Sequence, residues 1–194
     1  DTDGKPGKVK AMGLDLKRSD TPPIMQDFMS ELLLDVLTGA EENDIVEKIK
    51  TFKHEFHSRP GWEKGTPKRV NNLTMYGAKE EREGKATMPG HVRAALNWNR
   101  LKEMNSDNYS QGIVDGMKTI VCKLKDNPLG YTSVGYPTDE SQLPQWFKDL
   151  PFDDQLMEAT IVDKKIDNLL GVLKWELKAK TQTANTFDSL FSFE

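Results

Sequence analysis

The chain has 194 residues, with 27 Lys and Arg against 31 Asp and Glu and a formal net charge of −4; that length suits one domain, or one domain with a tail. Hydrophobic residues make up 36 % and charged residues 30 %, so part of the chain is expected outside any packed core, and no apolar run approaches the ~18 residues that read as a membrane span. The single cysteine, Cys122, excludes an internal disulfide framework and, with no signal peptide at the start, points to a soluble protein of a reducing compartment. A first residue of Asp1 rather than Met reads as a processed product or a piece of something larger.

In chain order, Asp3-Gly4 is a turn signal and Val9 to Met12 suits an edge strand. Thr21 is a fair N-cap and Pro22 stands where a first helical residue needs no N–H. Met25, Phe28, Met29, Leu32, Val36 and Leu37 then fall on one helical face, with Gly39 as the stop. A second helix reads from about Asn43 to His57, apolar at Ile45, Ile49, Phe52 and Phe56. Between Ser58 and Pro89 the periodicity dissolves, which predicts an irregular or mobile connection over 58–88. Helix returns at about His91–Met104, carried by Val92, Ala95, Leu96 and Trp98. Met117–Leu124 and Tyr131–Tyr136 are β-rich and form a hairpin candidate. A last helix, about Phe152–Leu173, is predicted to bury Leu156, Ala159, Val162, Ile166, Leu169, Leu170 and Leu173. Lys178–Thr186 is small and polar, a linker, and the chain closes on an aromatic cluster. The expected class is α+β: mainly helical, one small antiparallel sheet and a flexible C-terminal tail. Residues 1–177 are expected to form the domain and 178–194 the linker with a terminal peptide.

Charge is unevenly spread. Glu47–Arg69 carries seven Lys and Arg against three acids, and Thr138–Asp163 carries seven acids against one Lys. A net-acidic chain with basic segments can bind phosphate through one face, although a solvated surface reads the same way. Catalytic signals are thin. His54 and His57 are three apart on a predicted helix, but the helical zincin spacing is His-Glu-x-x-His, not His-Glu-Phe-His. Cys122, mid-strand, reads as a buried structural thiol, and Asp1-Thr2-Asp3 as a solvated turn. No catalytic residue and no metal ligand is therefore assigned.

Two features stand out. Phe187, Leu190, Phe191 and Phe193 crowd the end of the chain behind the linker. Fully burying each gains roughly 1.5–3 kcal/mol, enough for a peptide anchor, unless the tail folds back on its own domain. The second is the segment from Pro89 to Lys102, where His91 opens a helix and Arg93, Asn97 and Arg100 follow at spacings of four and three. With no acid in the segment, this stripe of donors suits a sugar–phosphate backbone, or is simply the basic outer face of an amphipathic helix.

Lys8-Val9-Lys10-Ala11-Met12-Gly13, then Lys17-Arg18-Ser19-Asp20-Thr21-Pro22 and a long helix, resembles the start of the thumb in the family B replicative DNA polymerases of T-even-type bacteriophages. Pro89-Gly90-His91-Val92-Arg93, Asn99-Arg100, and the Lys118–Gly130 stretch ending Asn127-Pro128-Leu129-Gly130 are similar to later motifs of the same thumb. Phe187-Asp188-Ser189-Leu190-Phe191-Ser192-Phe193 resembles that family's C-terminal clamp-binding peptide. The resemblance implies a thumb that grips primer–template DNA behind the primer end. Implied phosphate contacts are Lys17, Arg18, Ser19, Thr21, His91, Arg93, Asn99, Arg100 and Lys102, with Lys123 and Lys125 in addition. It further implies a sliding clamp as partner, a palm and exonuclease part supplying Mg2+ and all catalytic carboxylates, no membrane, and the cytoplasm of an infected bacterium. On this view the chain is a fragment, or one half of a split enzyme. The alternatives are a stand-alone interaction module acting through the aromatic tail and, more remotely, a small hydrolase using His54 and His57.

Overall fold

A computed structural model describes residues 21–171. The expected edge strand at Val9–Met12, the linker and the aromatic tail lie outside the described residues. The fold is α+β, as the sequence predicts, with a three-stranded antiparallel sheet ordered β1-β2-β3.

The first part is helical. In α1 (Pro23–Leu37) the cap is Pro22 and the first-turn proline Pro23, one residue later than expected. Met25, Met29, Leu32, Leu33 and Val36 are buried, and Gly39 ends the turn at φ +93°. In α2 (Glu42–His57) the buried set is Ile45, Ile49, Phe52 and Phe56, the stripe read from the sequence. A third helical stretch shares their core. It opens as a four-residue helix, Asp154–Met157, whose cap Asp153 accepts from the Leu156 N–H at 3.1 Å. It continues as a π turn, Glu158–Asp163, and stays helical to residue 171.

That π turn corrects the expected face. Leu156 and Ala159 are exposed, while Met157 and Ile161 are buried instead. A π turn takes more residues than the 3.6 of an α turn, so the α-helical period fails across it. Beyond it Val162, Ile166 and Leu169 are buried as predicted. Leu173 is outside the described residues.

The second part is the sheet and its helices. The hairpin appears as β2 (Lys118–Lys123) and β3 (Ser133–Pro137), paired antiparallel with Val121 opposite Gly135. The connection predicted at 58–88 is instead structured. It holds a 3₁₀ turn at Gly61–Lys64, β1 (Thr66–Arg69) and α3 (Leu73–Glu83). Two causes hide these elements from a periodicity reading. The strand is Thr-Pro-Lys-Arg, with no apolar alternation; it is an edge strand, the setting in which a proline is tolerated. The helix buries only Leu73, and its first turn is capped from afar, the Leu73 N–H donating to the Asp115 carboxylate. Its end is conventional, with Gly84 at φ +71°.

Helix α4 (Gly90–Met104) packs along β3. The ladder bond from the Leu124 N–H to the Thr132 carbonyl (2.9 Å) leaves the neighbouring Ser133 carbonyl pointing off the free edge, where Asn97 Nδ2 donates to it at 2.9 Å. Asn97 thus satisfies one acceptor at that edge, while Ala94 and Ala95 lie against Gly135 on the face of β3. Trp98, fully buried, meets Trp146 at a tilt and Phe147 edge-to-face, at centroid distances of 5.1 and 5.2 Å, and its Nε1 donates to the Gln111 carbonyl at 2.9 Å. Phe147, from the short α5 (Gln145–Lys148), also meets Tyr136 and Phe152.

A buried lysine ties the helical part to the sheet. Lys64 is 2 % exposed, and its ammonium donates to the His57 carbonyl (2.9 Å) and Glu158 (2.7 Å) and sits 3.3 Å from Asp154.

Candidate nucleic-acid interface

A groove of about 580 Å³ opens between α3, α4 and the chain from Leu129 to Thr132. Its charged walls are Lys85, Arg93 and Arg100 against one acid, Glu80. About two helical turns of α4 separate the two arginines, and Glu80 of α3 bridges them. Arg93 Nη1 donates to one carboxylate oxygen and Arg100 Nη2 to the other at 2.6 Å. Arg93 also donates from Nη2 to the Ala86 carbonyl at 2.8 Å. Both guanidiniums stay about a third exposed, at 31 % and 36 %, while Glu80 is 15 % exposed. Burial alone pushes the Glu80 carboxyl up, but hydrogen bonds from Arg100 and Arg93 outweigh it and hold the group below the usual carboxylate range. The carboxylate therefore stays ionised, and the groove keeps an excess of two positive charges.

The acid that balances Arg93 and Arg100 is absent from their own helix and supplied by α3, inside the stretch predicted to be irregular. The donor stripe read from the sequence is thus altered. Asn97, placed on it, is 1 % exposed and spent on the β3 edge. Asn99 is likewise occupied by main chain: its Nδ2 donates to the Ile113 carbonyl (2.9 Å) and its Oδ1 accepts from the Ile113 N–H (2.8 Å). Lys102 is half-buried and has no ion pair among the described residues. His91 stands in the first turn of α4; burial and the nearby Lys68 charge lower its pKa, so at neutral pH it is an uncharged donor.

The remaining predicted contacts are scattered. Lys123 ends β2 and is exposed, as is Lys125 just beyond it. Thr21 is fully buried, its Oγ1 accepting from Lys165 Nζ at 2.9 Å. Lys17, Arg18 and Ser19, and the tail residues Phe187, Leu190, Phe191 and Phe193, lie outside the described residues. The sequence reading did not single out Lys68, Lys85 or Glu80. Only the tertiary packing brings them to α4.

Much of the basic run at 47–69 is paired with acids in the fold. Lys48 pairs with Glu31 and Asp35, Lys53 with Asp163, Arg59 with Glu63, and Lys64 with Glu158 and Asp154. Asp154, Glu158 and Asp163 belong to the acidic run, so the two opposite segments meet at Lys53 and Lys64. His57 Nδ1 meets Glu158 at 3.0 Å, while His54 is exposed, and no cluster of three His, Cys, Asp or Glu side chains among the described residues is placed to hold a metal ion. Cys122 is fully buried with its thiol pushed up by burial, at 3.6 Å from the Trp62 carbonyl. Among the described residues no helix is long and apolar enough to cross a membrane.

No protein-family model matches the chain. Over 138 residues, 71 % of its length, the chain is 28 % identical to the DNA-directed DNA polymerase of Enterobacteria phage T4. It is similar to a phage DNA polymerase. The match spans about 15 % of that protein, and the likeness supports a relationship to DNA polymerases as a class.

Proposed function

We propose that this chain is the thumb part of a family B, phage-type DNA-directed DNA polymerase, gripping primer–template duplex through the phosphate backbone. The observation that carries the reading is the likeness to the phage T4 polymerase over most of the chain. The α3/α4 groove is consistent with it: two partly exposed arginines, oriented by a shared carboxylate, present fixed donors to an anion. Arginine forks of this kind suit phosphate oxygens and carry no sequence information, as a replicase moving along any template requires. His91, Lys102, Lys123 and Lys125 are further contacts, as are Lys17, Arg18 and Ser19 upstream. The buried Thr21 and the main-chain-bound Asn99 act by positioning their neighbours. Chemistry would reside in a separate palm holding Mg2+, in a polymerase working in the host cytoplasm. The tail, through Phe187, Leu190, Phe191 and Phe193, would tether the enzyme to a sliding clamp and raise processivity through effective concentration.

The test is fluorescence anisotropy of a labelled primer–template duplex at several salt concentrations. Arg93→Gln/Arg100→Gln is compared with wild type, and both are checked for folding by thermal melting. Each lost phosphate contact removes about 0.9 from the log–log salt slope, so the double variant should lose about 1.8 and bind more weakly. An unchanged slope would move the grip off the α3/α4 groove. Absence of salt-sensitive binding in wild type at low salt would overturn the DNA reading of this chain.

A further inference from the structure

A groove elsewhere among the described residues has the opposite charge. It runs between α1 and α2, with a volume of about 820 Å³. Its acids are Asp27, Glu31 and Asp35 on α1 and Asp44, Glu47 and Glu55 on α2, against the single cation Lys48. On each helix the lining residues follow one spacing, from Ile24 through Asp27, Phe28 and Glu31 to Asp35, and from Asp44 through Glu47, Lys48 and Thr51 to Glu55. Two parallel acidic stripes therefore flank the groove. Its floor is apolar: Phe28 and Phe52 stack with centroids 3.9 Å apart, and Ile24 and Ala40 remain half-buried.

Half of these acids are not engaged. Lys48 takes up Glu31 and Asp35, and Lys50 takes up Glu47, but Asp27, Asp44 and Glu55 have no ion pair among the described residues. Six acids against one lysine leave the groove five charges negative, which repels a nucleic-acid backbone and selects a cation. The apolar floor selects against a small hydrated ion. From Ile24 to Asp35 the groove is about 17 Å long at 1.5 Å per residue, some three helical turns.

We infer that the α1/α2 groove docks a basic amphipathic helix of a partner protein, its apolar face on Phe28 and its Lys and Arg side chains along the two acidic stripes. This is the helix-in-groove mode of recognition. Complementary charge fixes the register and speeds association, and the apolar floor slows release.

The probe is a fluorescein-labelled amphipathic peptide of Lys and Leu, about 18 residues long at helical spacing, titrated with the full chain. Its Glu/Leu counterpart serves as the negative peptide. Asp27→Lys/Glu55→Lys reverses two exposed, unpaired groove acids. Asp126→Lys/Asp139→Lys makes the same change in net charge elsewhere on the surface. The groove variant should weaken the Lys/Leu peptide about tenfold, equivalent to about 1.4 kcal/mol, and the control variant less than twofold. Phe28→Ser should weaken binding in high salt, where charge attraction is screened. Equal losses in the two charge variants would reduce the interaction to net charge and overturn the proposal, as would equal binding of the Glu/Leu peptide. Self-association of the chain that the groove variant abolishes would assign the groove to a second copy, and overturn it too.

Discussion

The two grooves use one construction with the signs exchanged. Each lies along a pair of helices, and in each a lone ion of the minority sign bridges two of the majority. Lys48 spans Glu31 and Asp35, and Glu80 spans Arg93 and Arg100. The minority ion neutralises part of the local repulsion and holds its partners in place, while the excess charge stays available to something outside. The difference is depth. Lys48 is 43 % exposed and Glu80 only 15 %, so the acid bridges in a lower effective dielectric and matters more to the fold.

The largest consequence is for Glu80→Ala. It leaves two partly buried guanidiniums facing each other without a counter-charge, and α3 loses its polar tie to α4. Loss of a hydrogen-bonded charge partner of this kind costs about 1.5–3 kcal/mol. Urea unfolding should show the midpoint falling with the slope unchanged. A variant as stable as wild type would mean that the bridge only orients the arginines.

Glu80→Gln sharpens the comparison through pH. The folded Glu80 carboxyl is held below its unfolded value, so its stabilisation is complete above the ordinary Glu pKa of about 4.3 and is lost as pH falls through the folded value. The gap in thermal midpoint between wild type and Glu80→Gln should therefore be largest near neutrality and close on acidification towards pH 3. Asp107, also held low by Ser110 and the Trp146 indole, is common to both proteins and cancels in the difference. A gap independent of pH would show that the ion pair contributes no net charge-dependent stability.

How much of this was legible in the sequence follows the same division. The acidic groove belongs to helices whose apolar stripes, Met25 to Val36 and Ile45 to Phe56, recur at the helical period. Their location was readable, and so was the hairpin with β2 and β3. The arginine groove depends on α3, a helix with one buried residue and a cap donated from Asp115, more than forty positions away in sequence. No local pattern marks it, so its Glu80 could not be placed opposite Arg93 and Arg100. The π turn at Glu158–Asp163 shifted the burial phase for a related reason: its length is set by packing, and the α-helical period carries no trace of it. Charge runs do not reveal their own pairing: Lys53 and Lys64 turn to acids of the opposite run, which no local pattern marks.

The smallest effect is expected at Lys48→Gln. The Lys48 ammonium is held above the ordinary lysine value by its hydrogen bonds to Asp35 and then Glu31, so the stabilisation it offers is complete below the unfolded pKa and lost only as pH rises through the folded one. Across the neutral range it is constant. It is also screened, because the pair is solvent-accessible, and exposed ion pairs contribute little. The thermal midpoint should move by no more than about 1–2 °C, and less in high salt. The same substitution takes the α1/α2 groove from five to six net negative charges, so affinity for the Lys/Leu peptide should rise by about twofold at low salt. Stability nearly unchanged with tighter peptide binding is the mirror image of Glu80→Ala, where stability falls. If Lys48→Gln instead destabilises as much as Glu80→Ala, depth of burial does not separate the two bridges, and the parallel between the grooves is one of charge pattern alone.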